Sequence, residues 1–288
     1  MALPFQVWLQ AILNGLALGW LYVLMALGLT FILSMAGILQ LAHGEVYMIG
    51  AYLVYYLTAS MGLNLYAAMF VSMLTMAAFG LVLEKFLFRP VQGQVLPPII
   101  VSTGLTLILT SGAVVSFGLF ERGLPRLANG SFQILGSAVP KDRIIAVVFA
   151  AILLFLVFLF LKKTRYGQAM VASSQNPEGA RLRGIDPHQM ARISFLIACA
   201  LAAAGGTLAG SILQLHPFMG SQPLVKGLVI IVLGGMGSLL GAVIGGMILG
   251  LLDGILPVVF GSTAAAIAPL IVVVIILVVR PQGLLGHE

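Results

Sequence analysis

The chain has 288 residues, 61% of them hydrophobic and 8% charged, with a mean hydropathy of +1.15. Soluble domains carry about 45–50% apolar and about 25% charged residues, so a soluble enzyme or nucleic-acid-binding domain is excluded. The net charge of +6 is read first as a set of membrane-orientation signals.

Runs of about 20 apolar residues, without the alternation of a β-barrel, predict an all-α polytopic membrane protein. The N-terminal MALPFQVWLQ lacks a positive region, and the apolar run after it is long and glycine-rich. The first span is therefore expected to stay in the mature protein. No Lys or Arg precedes Lys85. That region predicts a long span at about 8–33, a broken one at 38–59 and a third at 65–83, closed by Glu84, Lys85 and Arg89 with Pro90. A fourth span at 96–119, a polar loop at 121–142 and a fifth span at 144–161 follow. Residues 162–192 are polar and hold six of the fourteen basic residues (Lys162, Lys163, Arg165, Arg181, Arg183, Arg192). A sixth span, 193–213, ends near His216-Pro217. The glycine-rich stretch 225–259 is too long for one crossing and is either a span with a re-entrant entry or two short helices. A last span at 265–279 stops at Arg280-Pro281. About eight transmembrane helices result, with an extra half-helix allowed within 225–259.

Counting Lys and Arg on alternate loops sets the orientation. Lys85, Arg89 and the six of 162–192 lie on one side. Arg122, Arg126, Lys141, Arg143 and Lys226 are counted on the other. The excess puts 162–192 in the cytoplasm. Small residues four apart predict close helix contacts: Gly15 and Gly19; Ala198, Ala202, Gly206 and Gly210; Gly237, Gly241 and Gly245; and Gly246, Gly250 and Gly254. The single cysteine, Cys199, is expected to be a small packing residue.

Within 162–192, Asn176-Pro177-Glu178 reads as an N-cap, a first-turn proline and an acid on the positive helix end. Arg181 and Arg183 lie at the other end, before Gly184. A short helix over 177–183 is expected outside the membrane. It is either a docking helix or part of a solvated loop whose basic rim meets anionic lipid.

QLAHGEVYMIG puts Gln40, His43, Glu45 and Tyr47 into the second span. A charge at the centre of a membrane helix costs at least about 2.5–3.5 kcal/mol and by default marks a pathway or a pair. Gly44 could let the helix open there. The other reading is a wetted turn between Gly37 and Gly44 where two spans meet the surface. Asp253 either pairs with Lys226, faces a wet cavity, or sits at the exposed end of its helix, and the helix end is preferred. Asn14, Thr30, Ser34, Ser102, Thr103 and Thr106 either line a polar path or return hydrogen bonds to their own helices. The sequence has no G-x-x-x-x-G-K-[ST] phosphate loop, no paired histidine spacing for zinc and no nucleophile–base constellation.

The run GLTFILSMAGILQLAHGEVYMIGAY (28–52) resembles the first-half signature of the LivH-type permeases, membrane subunits of ABC importers for branched-chain amino acids and related compounds. The resemblance continues through EKFLFRPV, TRYGQAM, NPEGARLRGID, FLIACALAAAGGTLAG, VLGGMGSLLGAVIGGMILG and PQGLLG, nearly the whole chain in order. It implies one permease domain over 1–288, in a bacterial inner membrane, with 162–192 as its coupling segment. The implied partners are a second homologous permease chain (a heterodimer, or alternatively a homodimer), two cytoplasmic ATPase subunits that bind the ATP, an external substrate-binding protein and membrane lipid. No cofactor is expected in this chain. By the same resemblance Asn176, Pro177, Glu178, Arg181, Arg183, Gly184 and Ile185 form the ATPase-coupling helix. The LAHGE stretch, with Asn14, Gln40, His43, Glu45 and Tyr47, borders the translocation path. The chain has Gln40-Leu41 where relatives often have Asn-Phe, which bears on substrate: the family also includes permeases for urea, amides and carboxylates. The rival readings are a proton-coupled secondary carrier using Glu45 and perhaps Asp253, and a non-transporting membrane subunit.

Overall fold

A computed structural model describes residues 4–134, 137–235 and 237–261, together with 263, 267, 271, 274, 275, 278, 280 and 283–285. Ten α-helices and one small hairpin occur among them: α1 (Phe5–Ala36), α2 (His43–Ala59), α3 (Leu65–Val82), α4 (Leu96–Phe117), β1 (Ser131–Ile134), β2 (Ser137–Pro140), α5 (Lys141–Lys163), α6 (Arg165–Gln175), α7 (Pro177–Leu182), α8 (Pro187–Ile212), α9 (Ser221–Gly234) and α10 (Leu239–Phe260). Among the described residues six apolar helices are long enough to cross a membrane: α1, α3 with its extension to Val91, α4, α5, α8 and α10. The predicted last span, 265–279, lies largely outside the described residues.

Local chemistry sets the ends. Gly37 stops α1 in the left-handed conformation (φ 65°), its N–H bonding to the carbonyl of Leu33. Asn64, Asp186 and Ser238 cap α3, α8 and α10 through their side-chain oxygens. The charged group after Leu83 does not end the third span, as the sequence suggested. The chain continues through Glu84 and Lys85 as a π-helical turn, Leu83–Phe88, and then a 3-10 turn, Arg89–Val91. Buried Glu84 faces Arg192 of α8 at 3.5 Å, so a cross-helix ion pair holds the acid inside the bundle.

Helix α8 is the hub. Its small residues Ala198, Ala202, Ala203, Ala204, Gly205 and Gly206 are buried against α1, α2 and α3. A side chain at Gly206 would strike the carbonyl of Tyr47, and one at Gly80 the carbonyl of Phe195. Lipid is as apolar as leucine, so helix association depends on such close backbone approach. Gly15 and Gly19 pack on Gly246, Gly250 and Gly254, joining α1 to α10, whereas Gly241 and Gly245 face α9. Gly237 is not part of that helical row. It lies in the α9–α10 turn with φ 88°.

The stretch 225–259 resolves into two helices, and α9, at 14 residues, is too short to cross alone. Its partner in design is α2. The long helix α1 is followed by the irregular segment 38–42 and then α2, whose first residue His43 lies against Gly28, in the last third of α1. The long helix α8 is followed by 213–220 and then α9, whose first turn faces the same cavity as Leu21 and Tyr22 of α1. Because α1 and α8 run antiparallel, the two units have opposite orientation. Gly44 and Gly220 lie so close, each against the other's carbonyl, that neither has room for a Cβ. Inverted repeats with interrupted helices produce this kind of arrangement. The sequence carries the trace: Ile38-Leu39-Gln40-Leu41 before Gly44 returns as Ile212-Leu213-Gln214-Leu215 before Gly220.

Candidate functional site

The polar segment 162–192 folds into ordered helices rather than a solvated loop. Thr164 caps α6 by accepting from the N–H of Gly167 at 3.0 Å, and Gly167 lies flat against the end of α5. Lys162 and Lys163 occupy the last turn of α5, where cations favour the negative helix end. Helix α6 was not foreseen; Thr164, directly after the two lysines, is the capping signal that would have found it. The predicted short helix is present one residue shorter, as α7. The Asn176 side chain accepts from Gly179 N–H at 2.8 Å, Pro177 opens the first turn with Glu178 beside it, and Arg183 is the C-cap. Gly184 follows at φ 79°, and the N–H of Ile185 bonds back to the carbonyl of Ala180 at 3.1 Å.

Only one side of α7 is anchored. Ala180 is buried, while Arg181 and Arg183 are exposed and Leu182 is 90% exposed. The anchored side faces a cavity of about 390 Å³ whose walls include Ala36 and Gly37 at the end of α1, Arg89 and Gln92, and His188 at the start of α8. His188 and Gln92 are linked across it at 3.1 Å. The short helix therefore stands over the ends of the long helices.

The second polar constellation divides. Gln40 and His43 are fully buried, Glu45 is 4% exposed, and Tyr47 is 2% exposed. They are not a wetted turn at the surface. The helix does not open at Gly44 either: the break is 38–42, and Gly44 lies in the first turn of α2, held by its contact with Gly220. The N–H groups of His43 and Glu45 bond to the carbonyls of Gln40 and Ala42. Glu45 sits in the first turn, where the helix dipole favours an acid, and interacts with Thr110 of α4. Tyr47 turns away from this group and lines a separate cavity with Tyr22 of α1. Asn14 joins neither, because its side-chain oxygen accepts a hydrogen bond from Arg143 of α5. Thr30, Ser102, Thr103 and Thr106 all donate to carbonyls of their own helices, and Ser34 reaches Gly237 at the hydrogen-bond limit of 3.5 Å.

Asp253 is not at a helix end. It lies inside α10, with Lys226 Nζ at 2.8 Å from Oδ1 and the Tyr22 hydroxyl donating to Oδ2 at 2.7 Å. Lys226 is thus a half-buried partner on α9 rather than a loop charge. Removing it from the orientation count leaves Arg122, Arg126, Lys141 and Arg143 on one side against eight on the other.

A family model described as branched-chain amino acid transport system / permease component matches residues 11–279. The chain belongs to this family. It is a multi-pass inner-membrane protein. It is 32% identical to the high-affinity branched-chain amino acid transport system permease protein BraD of Pseudomonas aeruginosa, over 97% of this chain and 96% of that one. It is also 32% identical to the permease protein LivH of the corresponding system in Salmonella typhimurium, over 100% of this chain and 98% of the relative. A solved structure, PsaBC from Streptococcus pneumoniae in complex with Fab, shares the fold of this permease with a TM-score of 0.52 at 12% identity, covering 93% of this chain and 91% of that one.

Proposed function

We propose that this permease is the membrane-spanning subunit of a binding-protein-dependent ABC importer that moves branched-chain amino acids by alternating access. Full-length similarity to LivH and BraD supports the substrate class. The whole chain acts as one permease domain. It pairs with a second, homologous permease chain and takes substrate from an external binding protein. Two cytoplasmic ATPase subunits bind and hydrolyse ATP, so this chain carries no cofactor.

The observation that carries the mechanism is α7, capped at both ends, with Leu182 and its arginines presented to the cytoplasm and Ala180 turned toward the ends of α1 and α8. Asn176, Pro177, Glu178, Arg181, Arg183, Gly184 and Ile185 form the coupling unit. Closure of the ATPases around ATP displaces α7 and, across the adjoining cavity, the helices that meet there. The two half-spanning units then exchange the side on which the path is open, with Gln40, His43 and Glu45 bordering that path. The ATPases must bind the two states with different affinity, since equal affinity shifts no equilibrium.

The test is co-purification followed by reconstitution. The tagged chain should bring ATPase chains with it, and the assembled complex should take up leucine only with ATP. Gly184→Val, strained at φ 79°, should keep assembly while ATP hydrolysis and uptake become uncoupled. Uptake by the chain alone in liposomes, driven by a pH gradient, would overturn this reading in favour of a secondary carrier.

A further inference from the structure

The return segment 213–220 and the start of α9 bound a cavity of about 640 Å³ on the face opposite α6 and α7, that is, on the outer side. Its size falls within the roughly 300–1,000 Å³ of small-ligand sites. Its polar lining has two poles. At one, the first turn of α9 arrives with Ser221 and Gln222, and no side chain caps the helix. The Ser221 N–H donates to the Phe218 carbonyl and Pro223 has none, so the Gln222 N–H is the free donor of this first turn, and the helix start adds a partial positive charge. Tyr47 lines the same cavity; it is 2% exposed, and its hydroxyl has no hydrogen-bond partner among the described residues. At the other pole is Glu121, exposed and in no ion pair among the described residues. Its neighbour Arg122 is engaged with the Tyr55 hydroxyl and the Phe117 carbonyl, both at 2.9 Å. Leu18 and Leu21 of α1 supply an apolar wall. Lys226 does not compete for an anion here, because Asp253 neutralises it.

We propose that this cavity binds the zwitterionic head of a free α-amino acid. The carboxylate accepts from the Gln222 N–H at the start of α9 and from the Tyr47 hydroxyl, the ammonium pairs with Glu121, and an aliphatic side chain lies on Leu18 and Leu21. The site is distinct from the buried Gln40–His43–Glu45 group and gives the permease its own selection step after delivery from outside. Its ligand class rests on the amino-acid reading of the proposed function.

Binding of tritiated L-leucine to the full chain in lipid nanodiscs, without ATP or binding protein, tests it. Saturable binding is expected. Tyr47→Phe and Glu121→Gln should each weaken it about tenfold or more, as loss of a hydrogen bond to a charged group does. L-leucinamide and isovalerate, each lacking one charge, should compete at least about tenfold more weakly than leucine. Glu121 is on an exposed loop, so its variant remains informative if Tyr47→Phe misfolds. Absence of saturable leucine binding, unchanged affinity in both variants, or isovalerate competing as well as leucine would overturn the site. ATP-driven uptake measured in parallel separates the two claims. Uptake that persists while both variants bind normally removes the site and leaves the transport function. Binding that follows the predicted pattern without ATP-driven uptake upholds the site and removes the importer mechanism.

Discussion

Replacing Asp253 with Leu removes two bonds at once: the ion pair to Lys226 at 2.8 Å and the acceptor of the Tyr22 hydroxyl at 2.7 Å. The side chains of Lys226 and Asp253 are 17% and 9% exposed, so little solvent reaches the ammonium left behind. Removing one partner of a buried pair costs about 3–5 kcal/mol, and an orphaned hydroxyl adds about 1–3 kcal/mol. Lys226→Met alone leaves Asp253 its bond from Tyr22 and should fall at the lower end, near 3 kcal/mol. The double variant holds no unpaired charge and should lose only about 1–3 kcal/mol, from Tyr22; adding Tyr22→Phe should bring stability close to wild type. Reversible SDS unfolding in mixed micelles, followed by circular dichroism, measures each variant. The distinctive result is that a second substitution restores stability. Single variants within about 1 kcal/mol of wild type, or additive losses in the double, would refute the claim that this pair is buried and coupled.

Gly206→Val should prevent α2 from seating on α8, because the new side chain meets the Tyr47 carbonyl. By contrast, Gly104→Ala in α4, which has open space around it, should be neutral or gain about 0.5–1 kcal/mol; the same unfolding assay reads both. Asn176→Ala removes the α7 cap at a cost of about 0.5–2 kcal/mol, so hydrogen exchange of Gly179 and Ala180 should accelerate severalfold while the transmembrane helices keep their protection. Glu45→Gln should alter the pH profile of uptake by the assembled complex; an unchanged profile would remove Glu45 from the path.

The long helices were legible because twenty-residue apolar runs have few alternatives in a bilayer. The cap at Asn176 was equally legible, since Asn-Pro-Glu meets three separate requirements of a helix start. What escaped was long-range. The pairing of Asp253 with Lys226, 27 residues apart, is one of three readings the sequence allows, and nothing in either local sequence chooses it over a helix end. The bond from Arg143 to Asn14, 129 positions apart, is likewise invisible in either local sequence. Around His43 the local sequence allows both a buried polar group and a wetted turn, for a related reason. A polar cluster between two glycines fits a surface turn until α8 and α9 are packed over it.

The repeated ILQL also shows what the two half-spanning units do differently. Gln40, in the first copy, is fully buried, whereas Gln214, at the same place in the second, is exposed and lines the outer cavity. Each copy precedes a glycine that touches its counterpart, so the junctions cannot slide freely past one another without disturbing that contact. One junction is sealed and the other open to the outside in the same structure. A switch that reverses access must exchange those conditions, and the Gly44–Gly220 contact is the fulcrum through which both units would feel it. Under the proposed coupling, movement at α7 would reach this contact by way of α1 and α8, because the former leads into the first junction and the latter into the second. By that connectivity a six-residue helix on one face would, in the proposed mechanism, act on a cavity on the opposite face.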